Sequence, residues 1–242
     1  MSERIRKKTR ISWVDPKSNN SYRLSSHYKI RTEKTGHYFT NGSLTENTKY
    51  VWICLHGYGQ LAKYFIQKFD FLNPVEHFVI VPEGLNRFYY GDSNDRPIAN
   101  WMTKEDRLDE IADYVTFLEL LRKKIGWDKN PAVKVIYLGF SQGVNTLIRW
   151  MANAHQRCDQ LLLWAGSLPE DMLLEQHQSY FEKISSSYFI GKADPYFNEQ
   201  QGIDMEQLAA RAGIHAKVQW FEGDHKVDET TLRIWIEKQK LT

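Results

Sequence analysis

From about residue 50 onward, short apolar runs alternate with segments of helical periodicity, and this alternation constrains the fold more strongly than any other feature of the chain. Each run has the length of a strand and is apolar nearly throughout, which is typical of strands covered on both faces. The sequence therefore predicts an α/β fold with a mainly parallel central sheet and helices on both faces. The predicted strands are Tyr50–His56, His77–Pro82, Lys134–Gly139, Gln160–Trp164, Ser186–Ile190 and Ala216–Glu222.

The clearest helix follows Thr103, because apolar residues from Leu108 to Ile125 recur at helical spacing. We expect Thr103 to cap the free amides of this helix, with Glu105 and Asp106 at the positive end of its dipole. Alternation in two N-terminal segments predicts antiparallel strands at the edge of the sheet, at Tyr22–Ile30 and Gly36–Thr40. Further helices are predicted at Leu61–Phe71, Gln142–Ala154, Glu199–Arg211 and Glu229–Lys240.

A chain of 242 residues has room for one domain or two, at about 150 residues each. No internal repeat, low-complexity block or long Pro/Gly/Ser linker divides the sequence. We therefore expect a single domain over residues 1–242, in which residues 1–49 form an N-terminal extension with edge strands.

Composition excludes several classes of protein. Hydrophobic residues make up 42% and charged residues 26%, which is the usage of a globular chain and not of a disordered or collagen-like one. The net charge is only +2, and much of the positive excess lies in the segment Arg4–Arg10. The rest of the chain is therefore near neutral, which argues against a surface for nucleic acid or acidic membrane.

The sequence also favours a compartment. No apolar run approaches the roughly 18 residues of a transmembrane helix. The basic N-terminus meets Ile11–Pro16 instead of an apolar stretch, so we expect no secretory signal. Cys54 and Cys158 lie in or beside apolar segments, where buried thiols are expected instead of a disulfide. These features predict a cytoplasmic location.

Five residues, Gly139-Phe140-Ser141-Gln142-Gly143, come directly after a strong predicted strand and directly before a helical segment. This is the context of a nucleophile elbow, a sharp turn that exposes a serine hydroxyl. The glycines two residues before and after Ser141 leave room for neighbouring segments. The turn also places the Gln142 N–H at the start of a helix, where it can meet a developing oxyanion.

A nucleophilic serine needs a base, and the base needs an orienting acid. Of the eight histidines, His225 follows the last predicted strand, at the edge where open α/β sheets place their sites. Asp194 lies just past the preceding strand, at the same edge. Taken singly, the three residues also fit a turn serine, a helix cap and a surface histidine. Their joint chain order, Ser141, Asp194, His225, favours a catalytic triad.

The loop His56-Gly57-Tyr58-Gly59-Gln60 follows the first parallel strand. Its two glycines allow backbone amides to turn toward the site, so we expect the Tyr58 N–H to be a second oxyanion donor beside Gln142.

Other classes of site fit the sequence less well. The segment Gly57–Ala62 satisfies a loose dinucleotide fingerprint, with Glu83 after the next strand, but that interpretation leaves the elbow, Asp194 and His225 unexplained. No spacing typical of metal ligands or of a phosphate loop is present. We therefore expect no metal and no other cofactor.

In these residues the chain resembles the phospholipase/carboxylesterase family of α/β-hydrolases, which includes carboxylesterases, lysophospholipases and acyl-protein thioesterases. The resemblance spans about Val51 to the C-terminus. It implies Ser141 as nucleophile, His225 as base and Asp194 as orienting acid, with backbone donors at Tyr58 and Gln142. It rests on Leu55-His56-Gly57-Tyr58-Gly59, Gly139-Phe140-Ser141-Gln142-Gly143, Gly191-Lys192-Ala193-Asp194 and Gly223-Asp224-His225.

The sequence departs from the family pattern at Gln60, where the family often has an acid, and at Asp224, where it often has glycine. The resemblance makes Trp101 the counterpart of a tryptophan in the family's long loop, and it is the only basis for expecting a homodimer. We expect Phe88, Tyr89 and Trp101 to line the substrate site, with packing of their loop against the sheet edge as an equal alternative.

The sequence thus predicts a serine hydrolase that cleaves a carboxylic ester or thioester through an acyl-enzyme, with a small molecule as its substrate. Two alternatives remain open at this point. One is a catalytically silent receptor of the same fold that binds a small ligand, and the other is an acyltransferase or peptidase that uses the same residues.

Overall fold

The computed structural model describes residues 26–91 and 96–241. A compact unit begins at Gly36, and the described residues before it have no regular secondary structure. Part of the predicted strand Tyr22–Ile30 lies outside the described residues, and for Ser26–Ile30 the prediction is wrong. The antiparallel edge position of the sheet is taken by the next predicted segment, near Gly36–Thr40.

The described residues contain nine strands. Seven of them form the central sheet, and two form a separate antiparallel pair. The strands are β1 (Tyr38–Asn41), β2 (Tyr50–Leu55), β3 (His77–Pro82), β4 (Asn86–Phe88), β5 (Ile98–Asn100), β6 (Lys134–Phe140), β7 (Gln160–Trp164), β8 (Ser185–Gly191) and β9 (Val218–Phe221). All six predicted parallel strands are present, with bounds that shift by no more than two residues at either end.

The central sheet has the strand order β1-β3-β2-β6-β7-β8-β9. Its neighbouring strands are parallel except for β1, which pairs antiparallel with β3 and places Tyr38 opposite Pro82. The predicted α/β fold with a mainly parallel sheet is therefore confirmed. The pair β4–β5 was not predicted from the sequence and joins Asn86 to Asn100 in register.

Six α-helices lie in the part of the chain that the structure describes. The predicted helix Leu61–Phe71 is a short α-helix followed by a 3-10 turn at Ile66–Phe69. The other predicted helices are found with similar bounds, and the short helix after a 3-10 turn at Leu174–His177 was not predicted. The helices are α1 (Ala62–Phe65), α2 (Arg107–Ile125), α3 (Gln142–Ala154), α4 (Gln178–Phe181), α5 (Glu199–Arg211) and α6 (Glu229–Lys238).

The predicted cap of α2 is wrong. The helix begins at Arg107, four residues after Thr103, and no side chain caps it. Thr103 instead donates its N–H and its hydroxyl to the Glu110 carboxylate, at 2.5 and 3.1 Å. Thr103 is therefore bound to the first turn of the helix from outside it. The helix ends at Ile125, and the next residue, Gly126, adopts φ +70° and donates its N–H to the Arg122 carbonyl.

The core has two layers because the strands bury both faces. On β2, Val51, Ile53 and Leu55 pack in the layer that includes side chains of α2, α3 and α5. The alternate residues Trp52 and Cys54 pack in the other layer, with α1 and α6. Helices therefore cover both faces of the sheet, which accounts for the near-continuous apolar runs. No helix among the described residues is long and apolar enough to cross a membrane.

His77, the first residue of β3, is a buried polar side chain within this core. The Tyr50 ring stacks on it at 4.7 Å between centroids, and the Trp52 indole N–H donates to His77 Nδ1 at 3.0 Å. Burial lowers the pKa of His77 to about 4. The imidazole is therefore neutral near pH 7 and accepts the indole hydrogen bond.

The His77→Asn variant tests this assignment. The pKa of His77 is depressed by folding, so its contribution to stability is complete above about pH 6.5 and is lost as the pH falls toward about 4. Asparagine keeps an acceptor for the Trp52 indole and removes the titration. Between pH 7 and pH 4.5, we expect the free energy of unfolding to fall by roughly 1–2 kcal/mol more in the wild type than in the variant. Urea titrations at both pH values measure the difference, and equal losses in the two proteins would contradict the assignment.

Candidate active site

Ser141 occupies a strained turn between β6 and α3. Its backbone lies at φ +53° and ψ −121°, a region that side-chain-bearing residues rarely adopt and that costs about 1–3 kcal/mol. The Ser141 N–H donates to the Trp164 carbonyl at the end of β7, at 2.8 Å. The turn is thus fixed by the neighbouring strand, and its strain is balanced by the packing around it.

Glycines surround this turn where no Cβ fits. A Cβ at Gly143 would lie 2.3 Å from the Leu55 carbonyl oxygen, and one at Gly139 would lie 2.7 Å from Val144 Cα. These are the two glycines that the sequence predicted to provide room. Gly166 was missed, although a Cβ there would lie 2.3 Å from the Ser141 carbonyl oxygen. The available signal was its position just past the C-terminal end of a strand.

The three predicted triad residues lie in one hydrogen-bonded line. His225 Nε2 is 3.0 Å from Ser141 Oγ, and His225 Nδ1 is 2.7 Å from Asp194 Oδ2. A carboxylate only accepts, so Nδ1 carries the proton and Nε2 is the acceptor that faces the serine hydroxyl. The arrangement can move a proton from the hydroxyl to the imidazole.

The Asp194 and His225 side chains differ in their exposure to solvent. The Asp194 side chain is fully buried, and its other oxygen accepts the Tyr196 N–H at 2.9 Å. The His225 side chain is 20% exposed and therefore open to a ligand. The rings of Phe140 and Tyr196 lie 5.0 and 4.7 Å from the imidazole, which restricts its rotation.

The loops that carry the acid and the base are bound to one another. The Ala193 N–H donates to the Gly223 carbonyl, and the Lys192 N–H donates to the Phe221 carbonyl, each at 2.9 Å. A Cβ at Gly191 would lie 2.4 Å from the Gly223 carbonyl oxygen. The loops after β8 and β9 therefore approach as closely as backbone atoms allow, which brings Asp194 and His225 together.

Tyr58 and Gln142, the two predicted backbone donors, belong to the loop after β2 and to the first turn of α3. A Cβ at Gly57 would lie 3.1 Å from Ser141 Cβ, so the loop after β2 touches the elbow. Gln142 is the first residue of α3, where N–H groups have no partner within the helix. Among the described residues, neither N–H has a protein acceptor. Both are free to donate to a ligand.

The Gln142 side chain has a structural role that the sequence did not indicate. Its Oε1 accepts the Trp101 N–H at 3.0 Å, and its Nε2 donates to the Met102 carbonyl at 2.8 Å. These bonds attach the segment after β5 to the start of α3. The partners are about 40 residues away in the chain, which is why local patterns did not reveal them.

The three residues predicted to line the substrate site have different environments. The Phe88 ring lies 5.8 Å from the Tyr58 ring, and Tyr89 is 54% exposed next to it. Trp101 is only 1% exposed and presents no face to open space. Its indole N–H donates to the His56 carbonyl at 2.9 Å, so the expectation of a substrate-facing Trp101 is corrected: this side chain is part of the core.

The residues of the competing dinucleotide interpretation are engaged elsewhere. Glu83 is buried, and one carboxylate oxygen accepts the Arg87 Nε–H at 2.6 Å while the other accepts the Ala62 N–H at 2.9 Å. The helix that follows Gly57-Tyr58-Gly59 has only four residues. In residues 26–91 and 96–241, no group of three or more His, Cys, Asp or Glu side chains could hold a metal ion.

The sheet order and the serine turn between strand and helix define an α/β-hydrolase. Residues 42–239 match the phospholipase/carboxylesterase family, and the chain belongs to this family. It is accordingly a hydrolase of the esterase type. No protein of curated function matches the sequence significantly.

Solved structures share the fold at low sequence identity. A carboxylesterase from Mesorhizobium loti matches with a TM-score of 0.65 and 15% identity, over 86% of this chain and 98% of that one. Acyl-protein thioesterase 2 from Zea mays matches with a TM-score of 0.64 and 16% identity, over 86% and 99%. A carboxylesterase from Bacillus cereus matches with a TM-score of 0.58 and 16% identity, over 84% and 94%.

Replacement of Gly143 tests the packing of the elbow. In Gly143→Ala the new methyl group would meet the carbonyl oxygens of Leu55 and His56, at 2.3 and 2.8 Å, and backbone atoms cannot move aside cheaply. We expect the free energy of unfolding to fall by about 2–3 kcal/mol. Asn153→Ala, at an exposed position of the same helix, is the control and should change it by less than about 0.5 kcal/mol. Equal urea midpoints for the two variants would refute the steric account.

Proposed function

We propose that the protein is a serine hydrolase that cleaves carboxylic esters or thioesters through an acyl-enzyme. The observation that carries the proposal is the hydrogen-bonded line from Asp194 through His225 to Ser141 at a turn open to ligand. Membership in the phospholipase/carboxylesterase family supports the same class of reaction. The compact unit from Gly36 onward supplies all the proposed residues, so we treat it as one catalytic domain.

In the first step, Ser141 Oγ attacks the carbonyl carbon of the substrate while His225 Nε2 takes the hydroxyl proton. The bond between that carbon and the leaving oxygen or sulfur then breaks, and the imidazolium donates its proton to the leaving group. In the second step, His225 takes a proton from water as the water oxygen attacks the acyl carbon. The bond to Ser141 breaks, the proton returns to Oγ, and a carboxylic acid leaves.

Asp194 acts through His225 in both steps. Its carboxylate accepts the Nδ1–H, which fixes the tautomer that leaves Nε2 free to accept the serine proton. It also stabilises the imidazolium that forms during each transfer. Because the carboxylate is fully buried, water does not compete strongly for this hydrogen bond.

The negative charge that develops on the carbonyl oxygen needs donors, and we assign this role to the N–H groups of Tyr58 and Gln142. Gln142 follows Ser141 directly, the loop of Tyr58 touches the elbow at Gly57, and neither N–H has a protein acceptor among the described residues. Gln142 also stands at the positive end of the α3 dipole. Loss of one such donor typically costs about 2.7–4 kcal/mol of transition-state stabilisation.

We assign the substrate-facing wall to Phe88 and Tyr89. The Phe88 ring lies against the ring of Tyr58, whose N–H is the proposed oxyanion donor. An acyl or aryl group bound at the site would therefore meet the Phe88 ring and its neighbour Tyr89. The related structures are an acyl-protein thioesterase and two carboxylesterases, which suits an ester or thioester as the substrate.

Labelling with a fluorophosphonate probe tests the nucleophile. We expect the wild type to react and Ser141→Ala to lose both labelling and p-nitrophenyl ester hydrolysis, by at least roughly 10³-fold in kcat. Ser167→Ala, which changes a serine of the neighbouring loop, is the matched control and should label normally. A folded wild type that neither labels nor hydrolyses the esters would support the silent receptor instead.

Substitution of Phe88 tests the substrate wall. Because the Phe88 ring offers apolar contact to an acyl chain, Phe88→Ala should lower kcat/KM for p-nitrophenyl hexanoate about 5- to 50-fold more than for the acetate, equivalent to roughly 1–2.3 kcal/mol of selective binding. Phe39→Ala, on the edge strand β1, is the control and should leave the ratio of the two rates unchanged. An unchanged ratio in Phe88→Ala would remove this residue from the site.

A further inference from the structure

The two peptide groups on either side of Gly57 contain four polar atoms, and side chains bind three of them. The His56 carbonyl accepts the Trp101 indole N–H at 2.9 Å. The Gly57 N–H donates to Gln60 Oε1 at 2.9 Å. The Gly57 carbonyl is 2.7 Å from His56 Nδ1, with the Gln60 N–H at a longer 3.4 Å. The fourth atom is the Tyr58 N–H, the proposed oxyanion donor.

The second contact of the His56 ring determines where its proton is. The Gly84 N–H donates to His56 Nε2 at 2.9 Å, so Nε2 is an acceptor and carries no hydrogen. In a neutral imidazole the proton must then be on Nδ1, which donates it to the Gly57 carbonyl. Burial lowers the pKa of His56 to about 4, which keeps the ring neutral near pH 7.

The hydrogen bond from His56 to the Gly57 carbonyl also restricts the direction of the Tyr58 N–H. The Gly57 carbonyl and the Tyr58 N–H belong to one planar trans peptide, in which the two groups point in opposite directions. A donor that holds the carbonyl therefore also fixes the direction of the N–H. The neighbouring residue Gly57 approaches Ser141, as a Cβ there would lie 3.1 Å from Ser141 Cβ.

We infer that His56 is a positioning residue for the reaction: through the Gly57 carbonyl, its Nδ1–H aims the Tyr58 N–H at the oxyanion. The inference rests on the proposed function, because the oxyanion forms only if Ser141 attacks a carbonyl. It assigns His56 no proton transfer and no contact with substrate.

The surroundings of His56 hold the ring itself in place. Trp101 stacks on it at 5.1 Å between centroids, and the Phe65 ring meets it edge-on at 6.4 Å. Its partner Gly84 is packed against the backbone of Asn100, where a Cβ would lie 2.3 Å from the carbonyl oxygen. The donor to the Gly57 carbonyl is therefore part of a rigid assembly, which is what a preorganised oxyanion site requires.

His77 is a second buried histidine of this protein, and its role is structural. It is buried to a similar degree, but its hydrogen bond goes to the Trp52 indole within the core. His56 instead binds two backbone groups of loops that follow β2 and β3, one of them in the peptide that contains the proposed donor.

Two isosteric substitutions separate the two contacts of His56. In His56→Asn the amide nitrogen takes the place of Nδ1 and can still donate to the Gly57 carbonyl, whereas Gly84 loses its acceptor. In His56→Gln the amide oxygen takes the place of Nε2 and can still accept from Gly84, whereas the Gly57 carbonyl loses its donor. Each variant loses one buried hydrogen bond, so the pair is matched in its cost to stability.

The measurements are kcat and KM for a p-nitrophenyl ester, the dissociation constant of phenylboronic acid, and the urea midpoint. Phenylboronic acid forms a tetrahedral adduct with Ser141 that places an oxygen at the oxyanion position. We expect kcat of His56→Gln to lie at least roughly tenfold below that of His56→Asn, with KM values within about threefold. Boronate affinity should fall in parallel with kcat. His77→Asn serves as the control for change at a buried histidine and should retain wild-type kcat.

Equal kcat values for the two His56 variants at similar urea midpoints would overturn the positioning role while leaving the proposed function intact. A wild type without esterase activity or probe labelling would overturn the proposed function, and the role of His56 with it. If either variant fails to fold, the ¹⁵N chemical shifts of His56 in the wild type decide: a proton on Nδ1 supports the inference, and a proton on Nε2 overturns it.

Discussion

The close approach of backbone segments at Ser141 is the constraint on which the rest of the site depends. The serine adopts a strained backbone with positive φ, and it is accommodated because Gly139, Gly143 and Gly166 leave no Cβ between the segments that meet there. Gly143 brings the start of α3 against the backbone of β2, and Gly166 brings the loop after β7 against the carbonyl of the serine. The same contacts that accommodate the strained turn therefore also bring the loop after β2 within reach of the nucleophile, so packing and proposed chemistry have one cause.

Three buried polar side chains around the turn are each bound by one partner that is near in the chain and one that is more than twenty residues away. Asp194 is bound by His225 and the Tyr196 N–H, Glu83 by Arg87 and the Ala62 N–H, and His56 by two backbone groups. An unpaired buried charge or donor would cost several kcal/mol, so each pair restricts the loops to the arrangement in which both members meet. Apolar burial brings the elements together, and these polar contacts then select one arrangement of the loops at the C-terminal edge of the sheet.

The sequence was informative wherever one segment determines its own structure. Apolar runs predicted the strands, and a serine between a strand and a helix predicted the turn at Ser141. The triad was predictable because its residues follow successive strands in a recognised order, whereas contacts that no local pattern or chain order indicates were not. Trp101 is an aromatic residue in a loop near the site, as binding-site aromatics often are. Its indole N–H, however, donates to the carbonyl of His56, 45 residues away, and the ring is buried. Thr103 has the side chain of a helix cap, but Glu110 binds it and α2 begins later. Gly166 packs against a residue of another strand–helix unit, and its own neighbourhood shows only that it follows a strand, not which segment it meets.

Gln60 shows how a departure from the family pattern fits the physics of the site. The family often has an acid at this position, and here the amide oxygen of Gln60 accepts the Gly57 N–H at 2.9 Å. A carboxylate could accept the same hydrogen bond, but it would also place a negative charge close to the peptide whose N–H is proposed to meet an oxyanion. Gln60 is only partly exposed, so that repulsion would oppose the charge that develops during the reaction. A neutral acceptor restrains the loop without this cost, so the glutamine preserves the geometry of the loop and removes an unfavourable charge from it.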